Sequence, residues 1–263
     1  MFRCGSVSAI TMKVMPKFSD RRQRWLAPVL LLMVPLLISL AARGADPVFS
    51  HKIVFLGDSL AAGLGVDPDE AFPALIQKRI EAAGWKDTVV NAGVSGDTSA
   101  DGLGRIDWLL KQRIDMLVLE LGGNDGLRGL PVAATQTNLQ AIIDRVKQKY
   151  PQAQIIVAGM QMPPNMGGDY TTAFRDLYPN LAAANHAALI PFLLAGVGGK
   201  PELNQPDHIH PNVEGHKIVA DNVWKVLQPL LERVRRAEAQ VACPKNHEAG
   251  KRLISLVLNS DFI

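Results

Sequence analysis

Cysteine is nearly missing from this chain: two in 263 residues, Cys4 and Cys243. That excludes a disulfide framework or a cysteine-built metal site as its organising device. Cys4 precedes the apolar run described below and would leave with it if that run is removed, so Cys243 is expected to stand alone. Aromatic residues make up only 6%, and the net charge is only +3. Much of the basic excess lies near the two ends, at Arg21, Arg22 and Arg24 and at Arg233, Arg235 and Arg236. The middle carries no basic stripe with interleaved aromatics, so nucleic acid is not an expected partner. Charged residues at 20% against 48% hydrophobic rule out a largely disordered chain.

Long apolar runs are also scarce. The one that stands out covers residues 25–42, WLAPVLLLMVPLLISLAA, directly after Arg21-Arg22-Gln23-Arg24. A basic flank, an apolar stretch and small residues after it read as a secretory signal, with cleavage expected between Ala41 and Ala45. Met12 and Met15 are alternative starts. An uncleaved anchor is the competing reading, but the length is marginal for a span and Pro28 and Pro35 interrupt it. Residues 1–45 are therefore read as a signal peptide or amino-terminal anchor, and either one places the rest of the chain in the periplasm or outside the cell.

Beyond residue 46, apolar runs alternate with stretches of helical spacing. Strands are predicted at 53–56, 88–90, 116–121, 155–158 and 188–194. Helices are predicted at 71–83, 99–112, 133–149, 171–186 and 213–231. Strand–helix alternation with short connections specifies an α/β fold: a mostly parallel five-stranded sheet, helices on both faces, one domain over 46–231. Residues 232–263, polar and then apolar, are expected to form a loosely ordered tail. There is no internal repeat.

In such a sheet, the loops after consecutive strands meet at the carboxyl edge. Three of them carry polar residues in tight glycine settings: Gly57-Asp58-Ser59, Asn91-Ala92-Gly93 and Gly122-Gly123-Asn124-Asp125. Asp207-His208-Ile209-His210 precedes the last helix. Acyl transfer needs a nucleophile, a base, a group that orients the base, and donors for the oxyanion. Ser59 fits the first role, His210 the second and Asp207 the third. The Ser59 N–H, the Gly93 N–H and the Asn124 side-chain amide fit the oxyanion hole.

Those four blocks, in that order, resemble the SGNH or GDSL hydrolases over roughly residues 52–231. The spacing and the ending Leu227-Gln228-Pro229-Leu230 look nearest to the bacterial periplasmic acylhydrolases variously called thioesterase I, lysophospholipase and arylesterase. The resemblance implies a flavodoxin-like three-layer α/β/α sandwich, a Ser-Asp-His triad, and neither metal nor other cofactor. It also implies a small acyl ester or thioester as substrate, with membrane proximity through lipid substrates, and a monomer is expected. Ala61 stands where an α/β-hydrolase nucleophile elbow would have its second glycine, so that pattern does not apply. Two other functions are kept beside it: a carbohydrate O-acetyl esterase, and a binding protein with a decayed site.

Neighbouring residues receive structural roles. Asp58 is expected to hold the turn around Ser59, Asn91 to hold the second loop, and Asp125 to brace Asn124. His208 competes with His210 as the base, but the carboxylate spacing favours His210. A metal site at Asp207, His208 and His210 would leave Ser59 and Asn124 without a purpose. His51, His186, His216 and His247 show no partner pattern. The loop Met160 to Met166 either lines an acyl pocket or packs. Gly63-x-Gly65 lacks the rest of a dinucleotide loop and is read as a turn.

Overall fold

The computed structural model describes residues 49–242. The leader at 1–45, Cys4, Cys243, His247 and the tail beyond 242 lie outside the described residues. None of the described helices is long and apolar enough to cross a membrane.

Among the described residues there are five strands: β1 Lys52–Gly57, β2 Thr88–Gly93, β3 Met116–Glu120, β4 Gln154–Ala158 and β5 Ala188–Ile190. The helices are α1 Ser59–Ala62, α2 Phe72–Ala82, α3 Ser99–Leu109, α4 Gly123–Leu127, α5 Val132–Lys149, α6 Gly168–Ala184 and α7 Val213–Ala242. Every strand pairs parallel to its neighbour, in the order β2-β1-β3-β4-β5.

That order fixes the layers. The crossover from β1 to β2 runs one way, and those from β2 to β3, β4 and β5 run the other. Right-handed connections then put α2 on one face and α3, α5 and α6 on the opposite face. The packing agrees: α2 meets α7, while α3, α5 and α6 pack in series. The central strands β1 and β3 are buried from Ile53 to Gly57 and from Met116 to Glu120, as strands covered on both faces must be. The edge strand β2 is half exposed. The core between the layers includes Phe55, Phe72, Ile76, Ile106, Ile142, Phe174 and Val223.

Some boundaries differ from the sequence expectation. β2 continues to Gly93, because Asn91 and Gly93 stay in register with Phe55 and Gly57 of β1. β5 ends at Ile190 rather than 194, and α6 starts three residues earlier, at Gly168. The largest correction is at the carboxyl terminus. The last helix does not stop at 231 but runs to Ala242, so residues 232–242 are helix rather than loose tail. The reason is a polar anchor. Arg235 donates to Asp87 at 2.6 Å and lies over the Trp85 ring, and Glu238 meets the His51 ring at 3.0 Å. Periodicity alone gave no sign of partners so far away in sequence.

Candidate active site

Strand order reverses between β1 and β3, and the crevice beyond their carboxyl ends is the binding position in sheets of this kind. Ser59 follows β1 there and Asn124 follows β3. Asp58 caps α1, its Oδ1 accepting the Leu60 N–H at 3.0 Å, which makes Ser59 the first helical residue. As the first residue of a helix, Ser59 has an N–H with no acceptor inside that helix. β2 comes so close beneath α1 that a Cβ on Gly93 would collide with the Ala62 nitrogen, so only glycine fits there.

Asp207, His208, Ile209 and His210 form a tight turn in which His208 takes a left-handed φ of 58°. Asp207 Oδ1 accepts the Ile209 N–H at 2.9 Å and the His210 N–H at 3.0 Å, and Oδ2 meets His210 Nδ1 at 2.6 Å. These backbone N–H groups, with the ring, hold the Asp207 carboxyl down at about 2. It is therefore ionised and only accepts, so Nδ1–H donates to it, and in the neutral ring the lone pair falls to Nε2. Nε2 lies 2.9 Å from Ser59 Oγ. Gln205 ties this turn to the loop after Ser59: its N–H donates to His210 O at 2.7 Å and its amide to Leu64 O at 2.6 Å.

The structure thus brings Ser59, His210 and Asp207 into one hydrogen-bonded line. It treats the three expected oxyanion donors differently. The Gly93 N–H donates to Asn91 Oδ1 at 2.9 Å. The Asn124 amide donates to Asp97 O at 2.9 Å and to Asp58 Oδ2 at 3.3 Å. Of the three, the Ser59 N–H alone is without such a partner, so an incoming oxyanion would have to draw the other two from internal acceptors.

Asn91 holds the second loop, its amide donating to Ala61 O at 2.7 Å. Asp125 is buried but does not brace the Asn124 side chain. It accepts from the Ser99 N–H and hydroxyl and from Thr135, tying α3 and α5 together beneath the site. His208 is not part of the line to Ser59. Met160 and Met162 pack against Gly123 and Gly126, on either side of Asn124, so this part of the methionine loop supports that turn. Among the described residues, no group of three His, Cys, Asp or Glu side chains is placed to hold a metal ion.

Three residues near the site were missed from sequence. Arg105 donates to Asp97 at 2.6 Å and to Gly57 O at 3.0 Å, joining the first and second loops. Asp97 offers its carbonyl to Asn124. Glu120, at the end of β3, is fully buried, and its Oε2 accepts the Asp58 N–H at 3.1 Å. A carboxyl group inside the apolar run of β3 was the available signal for Glu120. Burial raises the Asp58 carboxyl to about 6, and burial with the neighbouring Asp58 pushes Glu120 well above its ordinary value.

The sequence profile of the GDSL-like lipase/acylhydrolase family matches residues 55–218. The chain belongs to that family. It is 43% identical over 183 residues to esterase TesA of Pseudomonas aeruginosa, covering 69% of this chain and 90% of that protein. Over 209 residues it is 40% identical to the thioesterase 1/protease 1/lysophospholipase L1 of Escherichia coli, covering 79% and 94%. A crystal structure of TesA superposes with a TM-score of 0.66 at 42% identity, covering 68% of this chain and 99% of that one. This GDSL-family chain is a carboxylic ester hydrolase of the SGNH type, and Ser59, His210 and Asp207 all lie at the carboxyl edge of its sheet.

Proposed function

We propose that the chain cleaves carboxylic esters and thioesters of acyl substrates through an acyl-enzyme on Ser59. The observation that carries this reading is His210, bridging Asp207 and Ser59 through its two ring nitrogens. As Ser59 Oγ attacks the acyl carbon, its proton passes to His210 Nε2, and Asp207 stabilises the imidazolium. The oxyanion receives the Ser59 N–H, the Gly93 N–H and the Asn124 amide. Collapse expels the alcohol or thiol, which takes the proton from His210. Water then repeats the path and releases the acid.

Apolar side chains around this edge suit an acyl chain. Leu64, Val94, Leu130 and Ile209 are exposed in the loops and turns beyond the carboxyl ends of the strands, and Leu127 is exposed at the end of α4. Lipid substrates fit them, as do the thioesterase and lysophospholipase named among the relatives. All groups of the line come from one chain, which supports action as a monomer. The basic and apolar segment at 21–42 supports export, with the hydrolase domain in the periplasm or outside the cell. Amino-terminal sequencing of the mature protein reads the cleavage point, expected between Ala41 and Ala45; a mature protein still carrying residues 25–42 would contradict cleavage.

Purified Ser59→Ala tests the chemistry. On p-nitrophenyl esters, turnover is expected to fall on the order of 10⁴–10⁶-fold, and activity at the wild-type level contradicts the reading. A series of esters from acetate to palmitate reads the acyl class. A sharp preference for acetyl would favour a carbohydrate O-acetyl esterase instead.

A further inference from the structure

Among the described residues, Glu120 is the one acid on a strand of the sheet. It is 0% exposed, and its Oε1 has no hydrogen-bond partner. Its other oxygen accepts the Asp58 N–H at 3.1 Å, and the Ala61 N–H also acts on the carboxyl. Among the described residues no cation pairs with it, and the charge that acts on it most is Asp58, of the same sign. The guanidinium of Arg105 is taken by Asp97 and Gly57 O. A fully buried carboxylate with one oxygen unpartnered and no counter-ion is too costly to keep, so the group carries a proton.

A protonated carboxyl is a donor as well as an acceptor. The Asp58 N–H, 3.1 Å from Glu120 Oε2, sets the two side chains next to each other, and a hydrogen bond between their carboxyls lowers Asp58 and raises Glu120. Asp58 is 2% exposed, and its oxygens already accept from Leu60 N–H at 3.0 Å and from the Asn124 amide at 3.3 Å. Gly57 lets the pair form, since a Cβ there would occupy the place of Glu120 Oε2.

We propose that Glu120 is a positioning residue for ester hydrolysis: as a neutral acid it donates to Asp58, and Asp58 in turn aims the Asn124 amide and holds the turn that presents Ser59. This rests on the reading that Asn124 receives the oxyanion. The two carboxyls lie buried behind the nucleophile, and of this chain only the Asn124 amide meets the substrate. Its work is to keep Asn124 close to the place where negative charge develops, so that only an amide hydrogen has to change partner as the oxyanion forms. One neutral and one ionised acid satisfy this chain. Two carboxylates would repel, and two neutral acids would weaken the hold on the amide.

Steady-state kinetics on one p-nitrophenyl ester test it with Glu120→Leu, Glu120→Gln, Asn124→Ala and the double variant Glu120→Leu/Asn124→Ala. Leucine fills the space without donating, and kcat is expected to fall on the order of 10–100-fold with KM within about twofold. Glutamine still donates and is expected to keep kcat within about threefold of wild type. Asn124→Ala alone is expected to lower kcat roughly 10²–10³-fold, and adding Glu120→Leu to it should cost less than about threefold more, because the two act as one unit. If leucine adds its whole loss on top of Asn124→Ala, or if glutamine is as damaging as leucine, the proposal is overturned while the oxyanion reading stands. If Asn124→Ala alone keeps wild-type kcat, both fall. Should Glu120→Leu not fold, the infrared difference spectrum of wild type against Glu120→Gln at neutral pH decides. The carbonyl stretch of a protonated acid is expected, and a carboxylate band in its place overturns the proposal.

Discussion

Two histidine–aspartate pairs sit at opposite edges of this sheet, roughly 20 Å apart along β1. At the carboxyl edge, His210 Nδ1 meets Asp207 at 2.6 Å. At the amino edge, His51 Nδ1 meets Asp87 at 2.7 Å. The pairs are almost superimposable in chemistry and differ in what the second ring nitrogen faces. His210 turns Nε2 to the hydroxyl of Ser59, whereas His51 turns it to the Glu238 carboxylate. The first arrangement leaves a proton somewhere useful to go. The second places the ring between two acids and raises its basicity, chiefly through the Asp87 hydrogen bond. Surroundings reinforce the difference: Asp207 is 43% exposed, while the Asp87 side chain is fully buried and further held by Arg235. A histidine–aspartate pair is thus a shared part, and its role is set by its third partner.

Exchanging the two histidines' fates is the sharpest way to break this contrast. His210→Ala is expected to lower kcat/KM on the order of 10⁴–10⁶-fold with an almost unchanged melting temperature. His51→Ala is expected to do the reverse: activity per folded molecule stays near wild type, while stability falls by about 3 kcal/mol as the buried Asp87 loses a partner. Chemical denaturation beside ester kinetics reads both, and a loss of turnover without loss of stability in His51→Ala would erase the distinction. Asp207→Ala comes next, with a fall of roughly 10²–10⁴-fold in kcat. Water can reach this exposed carboxylate's position and orient part of the imidazole population in its place.

A pH series sharpens the comparison further. The His51 ring is raised above its ordinary 6.5, so its stabilisation is complete below that pH and is lost as pH climbs through the raised value. For Asp87, burial alone would raise the carboxyl, but the His51 and Arg235 hydrogen bonds hold it below 3.8. Its stabilisation is present above that pH and is lost as pH falls through the lowered value. The amino-edge cluster is therefore strongest between these limits. Melting temperature should decline as pH rises through the raised His51 value, and His51→Ala should flatten that decline. An identical slope in the variant would show that the cluster does not govern it. The smallest effect belongs to Glu238→Ala, under about 1 kcal/mol, because that carboxylate is partly exposed.

The same contrast shows what the chain's linear order makes legible. Asp207 and His210 are three residues apart, so one turn joins them and their spacing suggests their roles. His51 and Asp87 are 36 residues apart, and Asp58 and Glu120 are 62. Those partners meet only because β1 pairs with β2 on one side and β3 on the other, in a register that residue patterns do not specify. Strand and helix alternation gave the five parallel strands and both helical layers. It did not give the end of α7, since the anchors Arg235 and Glu238 find their partners on loops before β1 and β2. The roles of Ser59, Gly93 and Asn124 were suggested by glycine-rich blocks at strand ends. The present engagement of the Gly93 and Asn124 donors with Asn91, Asp97 and Asp58 depends on side-chain geometry alone.

The most direct measurement traps the intermediate. Wild-type protein mixed with a p-nitrophenyl acyl ester, quenched within the first turnover and digested, should yield a peptide heavier by one acyl group on Ser59. The same quench of His210→Ala should yield little or none. An acyl group on another residue, or turnover with no acylated protein at any time, would contradict the account.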